Sequence, residues 1–180
     1  MRILAIDQAR KGAWSVFDYN SRTLIGCGTF EYASRNHTFA KAMVEIGDLM
    51  LALIDRYEIG AVYLEDIQLR RNVDTFKRLA RLQGSLCSLL ERSGLLYDYV
   101  NPSKWQSFCN ARGRTTKEIS SKMTEASTES GKKKSKLLAI QFVRENYGIE
   151  TEDDNLADAI CIGHYVVYTP EINLEELKEN

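Results

Sequence analysis

Cysteine, proline and net charge are all scarce in this chain. Its four cysteines (Cys27, Cys87, Cys109 and Cys161) stand far apart, with no Cys-x-x-Cys pair. That spacing argues against a zinc site or a disulfide framework and points to reduced thiols in a cytosol-like compartment. There are two prolines, Pro102 and Pro170, and no Gly/Ser-rich linker or internal repeat that would divide the 180 residues. No apolar run approaches the roughly 18 residues needed to span a bilayer. The short run after Met1-Arg2 does not make the apolar stretch of a secretory leader. Disorder is excluded on composition: the formal net charge is only -1 and 44% of residues are hydrophobic, whereas disordered chains are apolar-poor and charge-imbalanced. The expectation is one soluble, intracellular, cytoplasmic domain over residues 1–168 with no membrane partner, followed by an acidic, frayed tail over residues 169–180.

Near-neutrality conceals a segregation of charge. From Asn110 to Lys136 there are eight bases (Arg112, Arg114, Lys117, Lys122, Lys132, Lys133, Lys134 and Lys136) against three acids. The block Glu150 to Asp158 then carries five acids and no base. A basic stretch is often no more than a solvated loop, and acids at a helix start are favoured by the helix dipole. The functional alternative for the bases is contact with a phosphate backbone, through release of condensed counterions.

The chain reads as alternating elements. Arg2–Asp7 is a buried strand ending in an acid, followed by a connection over Gln8–Gly12 in which Gly12 is expected to turn the chain. Ala13–Tyr19 and Thr23–Phe30 are two strands of a meander. Apolar residues at three- and four-residue steps predict a helix over Thr38–Tyr57. Ala61–Glu65 is a fourth strand, again ending in an acid. Val73–Ser93 is a long helix ended by Gly94, Leu95–Val100 a fifth strand, and Ser103–Phe108 a short helical turn. A helix over Lys136–Tyr147 ends at Gly148, and a last one runs from Asp153 or Asp154 through Val166. The order predicts an α/β fold with a mixed five-stranded sheet and helices on both faces.

The chemistry lies in how these elements end. Asp7 and Glu65 close two strands which, as neighbours, would set their carboxylates side by side. A single acid at a strand end is often a cap or turn former; two in equivalent places are harder to dismiss. The last helix adds Asp154 and Asp158, four apart on one face, with Asn155 on the same face. Several acids converge at low cost only if cations neutralise them. Hard divalent ions such as Mg²⁺ do so through oxygen ligands, and a pair of them can activate water and stabilise the leaving oxygen of a phosphodiester.

The segments Ile3-Leu-Ala-Ile-Asp7, Val62-Tyr-Leu-Glu65 and Asp153-Asp-Asn-Leu-Ala-Asp-Ala159 resemble the catalytic blocks of the RuvC-like Holliday-junction resolvases. Leu82-Gln-Gly84 resembles a small-residue patch on that family's central helix, and Val100-Asn-Pro-Ser103 its fifth-strand exit. The likeness spans about residues 1–168. It implies a ribonuclease-H-like fold and a homodimeric endonuclease that nicks four-way (Holliday) DNA junctions symmetrically. Mg²⁺ is the implied ion, with Mn²⁺ as a substitute and two ions per site. Asp7, Glu65 and Asp158 match three metal-binding acids. The fourth falls on Asp154 or on Asn155, and the carboxylate favours Asp154. Lys136 matches a basic residue beside the scissile phosphate, whereas the family's second lysine falls on Gln106, with Lys104 nearby. An aromatic wedge used by some relatives has no counterpart in Gln68-Leu-Arg-Arg71. DNA contacts are expected from Arg70, Arg71, Lys104, Arg112, Arg114, Lys132, Lys133 and Lys134. A phage or viral branch of the family would place the protein in the host-cell cytoplasm.

Three rivals remain at this stage. One is a nuclease of the same fold acting on other branched DNA or on RNA. Another is an actin-like ATPase, disfavoured because the turn after Asp7 has no glycine before Gly12. A catalytically inactive junction-binding protein is disfavoured by the retained acids. His164, Trp14 and Trp105 read as packing residues.

Overall fold

A computed structural model describes residues 1–9, 11–32, 38–69, 72–112 and 134–169. Five strands, β1 (Arg2–Asp7), β2 (Lys11–Asp18), β3 (Thr23–Glu31), β4 (Ile59–Glu65) and β5 (Leu96–Val100), form one sheet in the order β3-β2-β1-β4-β5. The first three pair antiparallel as a meander, and β1-β4 and β4-β5 pair parallel. The expected mixed sheet is present, and β1 and β4 are neighbours.

The helices among the described residues are α1 (Phe39–Tyr57), α2 (Val73–Arg92), α3 (Pro102–Phe108), α4 (Lys134–Tyr147) and α5 (Asp154–Tyr168). Four of these starts carry side-chain caps: Thr38 accepts from the Lys41 N–H, Asn72 from Thr75, Asn101 from Ser103, and Asp153 from Asn155 and Leu156. Each cap satisfies amides that the first helical turn leaves unpaired. Gly94 and Gly148 follow α2 and α4 at positive φ, as expected of helix-ending glycines.

Side chains along a strand alternate between faces, and here both faces are buried. Leu4, Ile6, Val62 and Leu64 pack with Ile46 and Met50 of α1 and Leu82 and Leu86 of α2. Ile3, Ala5, Ala61 and Tyr63 face the opposite layer with Trp105, Leu138, Ala139 and Ile160 from α3, α4 and α5. Burying a Leu- or Ile-sized side chain contributes about 1.5–3 kcal/mol, so either layer supplies a large share of the folding free energy. Helix α5 lies directly on the sheet. Ser15 Oγ donates to the Ala159 carbonyl at 2.7 Å, and a Cβ on Gly163 would stand 2.5 Å from the Phe17 ring.

Several boundaries and one role differ from expectation, among them the start of β4, at Ile59 rather than Ala61. Strand β2 begins at Lys11 and β5 at Leu96, and α4 begins at Lys134, so Lys136 lies within its first turn rather than at its head. Gly12 is inside β2, paired with Phe30, and is not a turn residue. Its lack of a side chain serves close approach: a Cβ there would meet the Phe30 ring at 2.4 Å and the Asp7 carbonyl at 2.5 Å. The four cysteines are free, as their spacing suggested. Among the described residues no helix is long and apolar enough to cross a membrane.

Candidate active site

Ile6 of β1 pairs with Leu64 of β4, so Asp7 and Glu65 are the next residues along two adjacent parallel strands. Strand alternation also decides their face. Asp7 shares parity with Ile3 and Ala5, and Glu65 with Ala61 and Tyr63, so both belong to the layer covered by α3, α4 and α5.

That layer supplies the remaining charges. Asp153 caps α5, and Asp154 and Asp158 follow on one helical face at its N-terminal end. Lys136 of α4 reaches across to them: its Nζ donates to Asp158 Oδ2 and lies 3.3 Å from Asp154 Oδ2. Of Asp154 and Asn155, the former therefore carries the side chain paired with Lys136. Asn155 offers its backbone N–H to the Asp153 cap.

The electrostatics record the burial of charge first and repulsion between like charges second. Burial, then the charges of Glu65 and Asp158, hold the Asp7 carboxyl well above its ordinary range, with Lys136 opposing. Burial pushes Asp158 up to about 7 against the pull of Lys136. Burial also disfavours the Lys136 ammonium, but Asp158, Asp7 and Asp154 more than offset this and raise its pKa. The lysine stays protonated.

Glu65 is fixed from several sides. The indole Nε1–H of Trp105, on α3, donates to Glu65 Oε1 at 3.0 Å. The Gln83 side-chain amide donates to the Glu65 carbonyl at 3.0 Å, and that of Gln8 donates to the same carbonyl. Trp105 packs as expected, being 1% exposed, but its polar contact, and those of Gln8 and Gln83, were not legible in spacing or composition. Asp7, Gln8, Glu65, Asp66, Asn72 and Phe76 line a recess of about 300 Å³ beside the acids.

The donor set suits a hard divalent cation: all are carboxylate oxygens, and Asp158 Oδ1 is buried without a hydrogen-bond partner among the described residues. Lys136 stands among these acids and interacts electrostatically with Asp158, Asp7 and Asp154. Among the described residues no group of three or more His, Cys, Asp or Glu is gathered to hold an ion as it stands. The Lys136 ammonium supplies neutralising charge between Asp154 and Asp158, which as like charges repel one another.

Of the expected DNA-contacting residues, Lys104 is exposed on α3, one position from Trp105, and Arg112 is exposed just beyond it. Lys134 opens α4, two residues from Lys136. Arg70, Arg71, Arg114, Lys132 and Lys133 lie outside the described residues. His164 is a packing residue, ringed by Phe108, Phe142, Tyr147 and Tyr168. Burial lowers its pKa to about 4, so it is neutral at pH 7. Trp14 packs on Tyr57.

No protein-family model matches the chain. Over 125 residues it is 33% identical to the crossover junction endodeoxyribonuclease RuvC of Helicobacter pylori (strain G27), covering 66% of this chain and 76% of that protein. Among solved structures, T. thermophilus RuvC in complex with Holliday junction substrate aligns with a TM-score of 0.67 at 15% identity, over 93% of this chain and 94% of that one. The yeast mitochondrial Holliday junction resolvase aligns with a TM-score of 0.58 at 12% identity, over 92% and 77% respectively. These alignments establish the shared ribonuclease-H-like fold, and with the sequence identity they lead to one conclusion: the chain belongs to the RuvC family of crossover junction endodeoxyribonucleases.

Proposed function

We propose that this protein resolves four-way DNA junctions by hydrolysing one phosphodiester in each of two symmetry-related strands. The observation that carries the reading is the meeting, in a RuvC-family chain, of Asp7, Glu65, Asp154 and Asp158 with Lys136 at the carboxyl edge of β1 and β4. The four acids are the residues that would hold divalent cations, Mg²⁺ with Mn²⁺ as a substitute and two ions per site. Bound ions supply an activated water on one side of the phosphodiester and charge stabilisation for the leaving oxygen on the other.

The chain's own residues do the rest. Asp7 and Glu65, on rigid strand ends, set the position of the ion-binding edge. Lys136, once released from Asp158, holds an oxygen of the scissile phosphate, where negative charge grows in the transition state. Lys104, Arg112 and Lys134, with Arg70, Arg71, Arg114, Lys132 and Lys133, supply contacts to the DNA backbone; such contacts position the duplex arms without reading sequence. A homodimer presents two such sites about a two-fold axis, which fits the symmetry of a four-way junction.

The test compares four substrates: four-way junction, Y-fork, linear duplex and RNA–DNA hybrid, each with Mg²⁺ or with EDTA. The expected result is paired nicks in the junction with Mg²⁺ alone and little cutting of the linear duplex. Preferential cutting of the hybrid or the fork would replace this reading with that of a related nuclease. Light scattering of the free protein should give twice the 20.5 kDa chain mass.

A further inference from the structure

We propose that Trp105 is a positioning residue for Glu65, its indole N–H holding the carboxylate in the one orientation from which it serves a divalent cation. A buried indole N–H without an acceptor is costly, and Trp105 is 1% exposed. The acceptor it finds is Glu65 Oε1, at 3.0 Å and 40 residues away in sequence. A charged acceptor makes this among the stronger hydrogen bonds of a folded chain.

A glutamate needs such a partner more than an aspartate does. Its longer side chain has more rotamers to lose on being fixed, and Glu65 stands at the end of its strand. The main chain there is already pinned, since the Gln8 and Gln83 amides both donate to the Glu65 carbonyl. Trp105 adds a hold on the carboxylate. Its own place is set by a short rigid path from β5: Asn101 caps α3, Pro102 opens it, and the indole is buried in the layer between sheet and α5. Phenylalanine would fill most of that volume and donate nothing.

The inference rests on the reading of Glu65 as a cation ligand, and the test separates the two. In a Trp14→Phe background the only remaining indole is that of Trp105, so an isotope-labelled sample gives one indole N–H resonance. In cation-free protein that resonance should move on Glu65→Gln, and in the background protein it should move again on titration with Mg²⁺. Calorimetry should show Mg²⁺ affinity reduced roughly 10–100-fold in Trp105→Phe, the usual penalty for losing a residue that orients a metal ligand. Because Trp105→Phe leaves some space unfilled, benzothienylalanine at position 105 is the second variant. It keeps the ring shape and replaces the N–H by sulfur, so it should keep the melting temperature and still lose the affinity. An isostere that binds Mg²⁺ as tightly as tryptophan would reduce Trp105 to packing. An indole resonance indifferent to Glu65→Gln would do the same. Absence of both Mg²⁺ binding and junction cleavage in the background protein would overturn the proposed function, and this inference with it.

Discussion

Lys136 donates to one oxygen of Asp158, and the other oxygen of that carboxylate is buried with no hydrogen-bond partner among the described residues. An isolated structural ion pair would leave few such loose ends, because an unsatisfied buried polar atom is costly. The half-paired carboxylate makes sense as part of a site whose full complement of positive charge arrives from outside. Lys136 neutralises part of the cluster until then.

The acids are thus expected to serve chemistry more than DNA affinity. Asp7→Asn, Glu65→Gln and Asp158→Asn should each lower junction cleavage by at least about 10²–10³-fold, the scale of losing a principal electrostatic contributor. Junction affinity in gel shifts should persist, since removing negative charge beside phosphates does not weaken their binding. Loss of binding in all three would identify these as structural acids.

Asp154 and Asn155 can be separated directly. Asp154 is ion-paired with Lys136 at 3.3 Å, so Asp154→Asn should cut cleavage by orders of magnitude while Asn155→Ala costs far less. The reverse ranking would assign the amide to the site and leave Asp154 as a favourable charge in the first turn of α5.

Cation-free stability should carry the imprint of Asp7 and Asp158. Both carboxyls have folded-state values above the ordinary 3.8, that of Asp158 at about 7. Such groups shed protons more readily from the unfolded chain, so their contribution falls as pH rises from about 4 through the folded-state values. In EDTA, Asp7→Asn should therefore raise the melting temperature at pH 7 by several degrees, at roughly 2–4 °C per kcal/mol for a chain of this size. The gain should shrink toward pH 4. An equal or lower melting temperature for the variant at pH 7 would show that the cluster is not strained.

Helix α5 carries two of the acids, and its seat on the sheet depends on Gly163. A methyl there would stand 2.5 Å from the Phe17 ring and 2.7 Å from Ser15 Oγ, the hydroxyl that bonds Ala159. Gly163→Ala should destabilise the protein by about 1–3 kcal/mol, the usual range for overpacking. Urea denaturation measures it, and a neutral result would mean that the helix can lift without loss.

What was legible in the sequence was whatever is encoded locally. Ile3, Ala5 and Asp7 alternate with Leu4 and Ile6, so the face of the acid could be read along the strand, and Asp154 and Asp158 declare a common face by spacing. Pairing of β1 with β4 was allowed by element order, and the register shows it. Gly12 was misleading because its reason lies on another strand, in the Phe30 ring that a Cβ would strike. The hold of Trp105 on Glu65 spans 40 residues and leaves no pattern in either segment.

Recognition of the junction depends on concentrated positive charge, because a chain with a net charge of -1 has no general attraction for a polyanion. The densest concentration is Arg112–Lys136, with eight bases. If these touch phosphates, log affinity should fall linearly with log salt, with a slope of about -0.9 per phosphate neutralised. Replacing Lys132, Lys133 and Lys134 together by Ala should flatten that slope by roughly 2–3 units and weaken all junction sequences about equally, as loss of backbone contacts does. Lys136→Ala should behave differently. Its ammonium lies among the acids, bonded to Asp158 and 3.3 Å from Asp154, so cleavage should suffer more than binding. Fluorescence anisotropy across a salt series, paired with single-turnover cleavage, distinguishes the two effects. An unchanged slope in the triple variant would make that run a bystander and move the search for the DNA surface to Lys77, Arg78 and the Arg70-Arg71 pair.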